Sequence, residues 1–353
     1  MKKTSKYILP VLAATMLGMP AFAGNEDRAG QAGATELLIN PWIRNSGMGG
    51  ANMASIKGLE AQFLNVAGTA FTKKTELVFA RSLYIADIKI NSFGFTQRVG
   101  ATGVLGLGIM SMDFGDIPIT TVNLPEGGIG TYSPQFINLG LSYAKAFSDN
   151  IYGGINIKAI SEAISDVSAR GVALDAGIQY VAGKFDNIHF GISLKNVGPR
   201  MRFNGDGLSF RGTVPSTGVT MTVEQRSADF ELPSLVNIGG AYDFYFPNDS
   251  LAKKNHRLTI AGTFTSNSFS KDQFAVGLEY GFRSFLMVRA GYVYEKGIGS
   301  DEDRTTCFTG FNGGFTVEIP MNKEKGSTFG LDFSYRATQP FNGVIGIGAR
   351  MNL

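Results

Sequence analysis

The feature that most constrains this chain is a two-residue alternation that runs for about ten residues, stops at a turn and starts again, from about residue 76 onward. Leu286, Val288, Ala290, Tyr292 and Tyr294 fall on one side of an extended segment, and Met287, Arg289, Gly291, Val293 and Glu295 on the other. Phe329, Leu331, Phe333 and Tyr335 alternate against Gly330, Asp332, Ser334 and Arg336. Ile345, Ile347, Ala349 and Met351 alternate against Gly346, Gly348 and Arg350. Successive side chains of a strand point to opposite faces, so each segment has one apolar face and one face of glycine, small polar residues or charge. Segments this long exceed the ~5–6 residues usual in soluble sandwiches and match the ~9–11 that cross a bilayer at a tilt. A wet interior and a lipid-facing exterior account for the pattern directly.

Strands are expected to start near Glu76, Ile88, Gly103, Phe136, Ile151, Gly171, Ile188, Ser234, His256, Gln273, Phe285, Phe308, Thr328 and Phe341, about fourteen in all. The connections support the count. Tight turns at Val99–Thr102, Ser148–Asn150, Lys184–Asn187 and Phe282–Ser284 fall on alternate positions, and long connections at 113–135, 161–170, 197–233 and 297–307 fall on the others. An up-and-down barrel places short turns at the periplasmic end and longer loops outside. The two turns at 247–255 and 320–326 are long for the periplasmic end but rich in polar residues. The fold class expected is all-β: a transmembrane, up-and-down antiparallel β-barrel in the cell outer membrane.

Lys2, Lys3 and Lys6 precede an apolar run from Tyr7 to Met19, and Ala21-Phe22-Ala23 has the small-x-small pattern of a cleavage site. Residues 1–23 therefore read as a cleaved signal peptide, residues 24–75 as a separate segment and 76–353 as the barrel. After Ala23 no run of about 18 apolar residues occurs, which excludes a helical membrane protein. Residues 24–75 are not strand-like. They carry Leu37, Leu38, Ile39, Pro41 and Trp42 as apolar anchors, then the glycine-rich Gly47-Met48-Gly49-Gly50. A fourteen-strand lumen lies between a packed eight-strand barrel and an open sixteen-strand channel. The segment is therefore expected to fold back as a plug.

Little in the chain suggests chemistry. Net charge is +3 with no Lys/Arg run, so a nucleic-acid partner is not expected. Cys307 is the only cysteine, which excludes an internal disulfide and a cysteine-rich metal site. His189 and His256, the only histidines, lack metal spacing and a Ser/Asp companion, and they read as interfacial polar residues at the periplasmic rim. Asp301-Glu302-Asp303 has carboxylate density suited to a hard cation but not the spacing of a known loop, so it reads as solvated. No cofactor, metal or catalytic residue is expected, and the chain does not read as an enzyme. The lumen-facing charges Lys158, Asp175, Lys195, Asp243, Arg257, Glu279, Arg289, Glu295, Asp332, Arg336 and Arg350 mix both signs and are expected to pair across strands.

The octapeptide Arg44-Asn45-Ser46-Gly47-Met48-Gly49-Gly50-Ala51 resembles the R-x-x-G-M-G-G-A signature of the PorV/PorQ family, outer-membrane barrels of Bacteroidetes type IX secretion. The preceding Glu36-Leu37-Leu38-Ile39-Asn40-Pro41 is similar to the family's lead-in. The stretch Phe63-Leu64-Asn65-Val66-Ala67-Gly68 resembles its W-N-P-A-G element, with Leu64 in place of Trp and Val66 in place of Pro. The family is similar in fold to FadL-type barrels, which have fourteen strands and an N-terminal plug. The resemblance makes Arg44, Gly47, Met48, Gly49, Gly50, Ala51, Asn65 and Gly68 the family-motif residues, with Arg44 expected to pair with Asp332 or Glu279. It implies a role in protein secretion, with cargo C-terminal signal domains or the translocon barrel as partners. The FadL-like architecture implies the alternative, a transporter of hydrophobic small molecules. The longest connection, 197–233, holds Arg200, Arg202, Phe203 and Phe210 and a hairpin around Thr213 to Val223, expected to stand above the membrane and offer strand edges to a partner.

Overall fold

The computed structural model describes residues 26–246, 255–322, 324 and 326–353. The expected signal peptide at 1–23 and most of the turn 247–255 lie outside the described residues. A fifteen-member sheet includes one two-residue strand, Phe203–Asn204, laid on the upper half of a longer neighbour; the other fourteen close on themselves. In chain order they are β1 (Thr75–Leu83), β2 (Lys89–Val99), β3 (Gly103–Asp113), β4 (Gln135–Ala146), β5 (Ile151–Ile164), β6 (Val167–Ala182) and β7 (Ile188–Val197). These are followed by β8 (Leu235–Phe246), β9 (His256–Asn267), β10 (Gln273–Phe282), β11 (Leu286–Glu295), β12 (Phe308–Asn322), β13 (Ser327–Thr338) and β14 (Val344–Asn352). Each pairs antiparallel with its sequence neighbours, and β1 pairs with β14 from Glu76↔Asn352 to Leu83↔Ile345, which removes both sheet edges. The protein is an all-β, fourteen-strand, multi-pass barrel of the outer membrane, with the short-turn end facing the periplasm.

The usual arrangement of residues is inverted. Large apolar side chains lie on the outer face: Ile178 is 58% exposed and Ile347 61%, alongside Phe79, Leu141, Phe190 and Val276. Charged side chains lie inside, where Arg350 and Asp332 are each 2% exposed. Such an exterior is stable only against lipid. Among the described residues no helix is long and apolar enough to cross a membrane, so strands do the crossing. A charge on the outer belt is correspondingly costly. Ile178→Arg is expected to lower stability by about 2–4 kcal/mol near the bilayer midplane. Urea unfolding from phospholipid vesicles reads this loss, and an unchanged midpoint would contradict a lipid-facing Ile178.

Two boundaries differ from expectation. The expected long connection at 161–170 does not exist, because β5 and β6 run on to a tight hairpin at Ser165 and Asp166. The polar run from Ser161 to Arg170 looks like a loop in sequence. In the barrel Glu162 and Ala169 are buried and paired with each other across the hairpin, which carries both strands onward. The last strand begins at Val344 rather than Phe341, since the chain is still turning at Gly343 with φ 90°. The outward connections are also not uniformly long: β1–β2, β9–β10 and β13–β14 join within a few residues, while 113–135 and 197–235 carry small two-stranded ribbons.

Candidate functional site

Residues from Thr35 to Phe71 occupy the lumen as short turns of helix, chiefly Ile43–Ser46, Ala61–Leu64 and Val66–Phe71. Two stretches of this plug are tied to each other. The Asn45 amide donates to Glu60 O (3.2 Å), Asn52 donates to Asn45 Oδ1 (3.2 Å), and Arg44 Nη2 donates to Lys57 O (2.6 Å). The wall supplies partners for backbone groups that the plug's irregular path leaves open. Gln179 donates to Met53 O and Ile56 O (3.1 Å each), Ser193 to Leu64 O (2.9 Å) and Thr263 to Ala51 O (2.8 Å). In return Asn65 donates to Ile178 O (3.0 Å) and Gln62 to Gly140 O (3.1 Å).

Glycines of the wall make this fit possible. Among the described residues six pairs face each other across adjacent strands, and five of them lie on the plug side: Gly94↔Gly108, Gly108↔Gly140, Gly154↔Gly177, Gly191↔Gly239 and Gly277↔Gly291. Glycine facing glycine weakens a sheet and marks a close approach of something else. Here the approach is the plug. A β-carbon at Gly94 would lie 2.3 Å from Leu59, at Gly177 2.1 Å from Asn65 Oδ1, and at Gly291 2.5 Å from Met48 O. The glycine-rich stretch and the residues from Asn65 to Gly68 sit in this seat. Gly47 lies against Gly314, Met48 and Ala51 against Gly277, and Gly49 and Gly50 turn with φ of 61° and 83°. Asn65 caps the Val66–Phe71 turn by accepting from Ala67 N (3.2 Å), and Gly68 packs on Ile56 O.

Charge links the same surfaces. Glu60, buried in the plug, lies 3.8 Å from both Arg44 and Arg350, and Arg350 lies 3.3 Å from Glu318 and 3.9 Å from Asp332. Burial pushes Glu60 up to about 7; Arg44 and Arg350 oppose this, and Asp332 and Glu76 reinforce it. Arg44 therefore pairs within the plug, not with Asp332 or Glu279 as expected from sequence; Glu279 is held by Arg257 and Arg289 instead. Lys158 pairs with Asp175 at 2.8 Å. Lys195 and Arg336 stand over the rings of Phe63 and Phe308, at 3.6 and 3.9 Å, and Glu295 accepts from Gln273 (2.9 Å). His189 is not an interfacial residue. It is buried against Asp243 in the lumen (3.2 Å), whereas His256 stays at the rim against Tyr280. Asp301 is taken up by Arg304 (2.6 Å) and Gln339 (3.1 Å), and no cluster of metal-ligating residues occurs among the described residues.

The plug divides the lumen. An outer chamber of about 150 Å³ is floored by Met53, Phe63 and Leu64 and walled by Lys195, Thr263, Glu295 and Arg336. An inner vestibule of about 370 Å³ is lined by Arg44, Lys57, Lys73, Lys74, Glu318 and Arg350. The two share no lining residue; a third cavity of about 130 Å³, lined by Met48, Asn52, Arg257 and Arg289, shares Arg44 and Lys57 with the vestibule. Above the rim, Arg200 and Arg28 both bind Glu231, at 2.7 and 2.8 Å. Phe203 packs half-buried on Phe230, Arg202 is exposed, and the ribbon Ser209–Thr213/Thr220–Glu224 exposes Phe210, Met221 and Val223 on one face. The wall glycines were the part of this site that sequence reading missed. The signal lay in 46 glycines spread along strands, but one strand alone does not show what approaches it.

No protein-family model matches the chain, and no curated protein matches it either. Solved structures do. The Pseudomonas putida toluene transporter TodX has a TM-score of 0.52 at 13% identity, covering 89% of this chain and 97% of that one. A Pseudomonas aeruginosa FadL homologue has a TM-score of 0.52 at 12% identity, covering 88% and 98%. The CymD monoaromatic hydrocarbon channel has 0.50 at 12% identity, covering 89% and 96%. At these identities the likeness is one of architecture: the chain shares the fourteen-strand barrel of FadL-type outer-membrane channels.

Proposed function

We propose that the protein is a plug-gated outer-membrane conduit for small hydrophobic molecules. The observation that carries this reading is the outer chamber, whose floor is the apolar surface of Met53, Phe63 and Leu64 and whose cations Lys195 and Arg336 lie over the rings of Phe63 and Phe308. A floor of this kind draws apolar solutes from water by burial. The neighbours in fold are named for toluene and monoaromatic hydrocarbons, which supports the same class. Passage from chamber to vestibule requires the plug between Ile43 and Leu64 to shift, because the two spaces share no lining residue and the plug packs on the wall at Gly277 and Gly291. A second reading, a type IX secretion component, is favoured by the Arg44–Ala51 motif and by the bare apolar face of the ribbon at Phe210, Met221 and Val223.

One comparison separates them. Cells lacking the gene are expected to accumulate labelled toluene several-fold more slowly than cells with it, with the set of surface proteins unchanged. Unchanged uptake together with loss of surface proteins, and recovery of a large translocon barrel with the tagged protein, would replace the first reading by the second.

A further inference from the structure

The plug carries a carboxyl group whose surroundings no part of the barrel seat explains. One short helical turn, Thr35–Leu38, places Leu37 in an apolar cluster with Ile160, Ala169 and Met201 and turns Glu36 inward, leaving it 3% exposed. Glu36 meets Asn138 of β4 and lies beside Glu162 of β5, whose charge adds to burial in raising its pKa. Glu36 Oε1 and Asn138 Oδ1 are buried, and neither accepts a hydrogen bond from any described residue. Glu36 and Asn138 line the same cavity of about 60 Å³, beneath Ile39, Pro41 and Trp42. The other ionisable groups on that cavity are Lys158 of β5 and Asp175 of β6, and they are committed to each other at 2.8 Å.

Two open acceptors beside a crowded carboxyl pair call for a donor that brings positive charge. The neighbouring wall of Ile39, Pro41 and Trp42 calls for a hydrocarbon body. At roughly 10–15 Å³ per small occupant on this measure, the cavity holds about five heavy atoms. We propose that this cavity binds a small primary alkylammonium ion, its N–H groups donating to Glu36 Oε1 and Asn138 Oδ1 and its chain lying against Trp42. Below about pH 8 the ammonium takes the place of the proton on Glu36, so binding there releases one proton to solvent and the charge balances. This inference concerns binding and does not depend on transport of the ligand or of hydrophobic molecules.

Trp42 is the chain's only tryptophan and lines the cavity, so its emission reports on the site. The purified full chain in detergent is titrated with n-butylammonium chloride, with n-butanol as the neutral match. A saturable change is expected with the ammonium and none with the alcohol. Burial, and next Glu162, push Glu36 up to about 8. Below that pH the proton must leave before the ammonium enters, so affinity is expected to rise about tenfold from pH 6.5 to 7.5 and to level off above 8. Glu36→Gln keeps the shape but not the charge and is expected to weaken binding at least tenfold. Four outcomes overturn the proposal: equal saturation by n-butanol, no saturable change, undiminished binding by Glu36→Gln, or a pH-independent affinity in the wild type. The last holds even should the variant fail to fold.

Discussion

Gly291→Leu is expected to turn a silent barrel into a conducting one. In planar bilayers the unaltered protein is expected to pass little current, because the outer chamber and the inner vestibule share no lining residue and the plug packs against the wall. At Gly291 even a β-carbon would lie 2.5 Å from Met48 O, 2.6 Å from its carbonyl carbon and 2.9 Å from its Cα. These are backbone atoms, which cannot rotate away as a side-chain end can. The turn through Gly47, Gly49 and Gly50 must therefore leave its seat. The wall stays intact, because Gly291 pairs with Gly277 and Asn312 through backbone hydrogen bonds that a side chain does not disturb. Gly262→Leu is the control: nothing lies nearer than 3.8 Å to a β-carbon there. Discrete current steps are expected from the first variant and not from the second. A folded Gly291→Leu protein as silent as its parent would show that the plug is not what closes the lumen.

Arg350→Met is expected to produce the largest loss of stability of any single substitution in the lumen. Arg350 is 2% exposed and stands among Glu60, Glu318 and Asp332. Methionine fills much of the volume but leaves buried carboxylates without their cation, which costs about 3–5 kcal/mol when one partner of a buried network is removed. Glu60 gives the pH dependence its sign. Its pKa rises from 4.5 to about 7 on folding, so the folded state binds the extra proton. Glu60's contribution is then most favourable below pH 4.5, declines as pH rises to about 7 and is constant above. In Arg350→Met the carboxylates gain still more by taking up protons, so the deficit is expected to be larger at pH 8 than at pH 5. The double variant Glu60→Gln/Arg350→Met is expected to recover part of the loss. Urea unfolding from vesicles at both pH values measures this, and a loss below about 1 kcal/mol at pH 8 would mean the network is solvated rather than buried.

Much of the wall was legible because a strand's period is a local property. Leu286 through Glu295 shows which side is greasy without reference to any other segment, and β3, β5, β7, β9, β10 and β12 begin at the residues expected. The hairpin at Ser165–Asp166 was not legible. What extends β5 and β6 is burial of Glu162 and Ala169 against the plug, a contact with residues more than a hundred positions earlier. Arg44 was misassigned for the same reason: its carboxylate partner proved to be Glu60, and sequence spacing does not show which of several acids the plug's path brings near. His189 looked like a rim residue by its place at a strand start, but the inward pleat carries it to Asp243.

The sequence alone determined the fold class, the strand number and the two faces of the wall, because side-chain alternation follows from backbone geometry and lipid leaves no choice about which face turns outward. Only the closed tertiary structure decided which glycines face the plug, which acids meet which arginines and where the lumen stays open. Those depend on the register between strands around the full circle. That register brings Gly94, Gly177 and Gly291 to one seat although they are far apart along the chain.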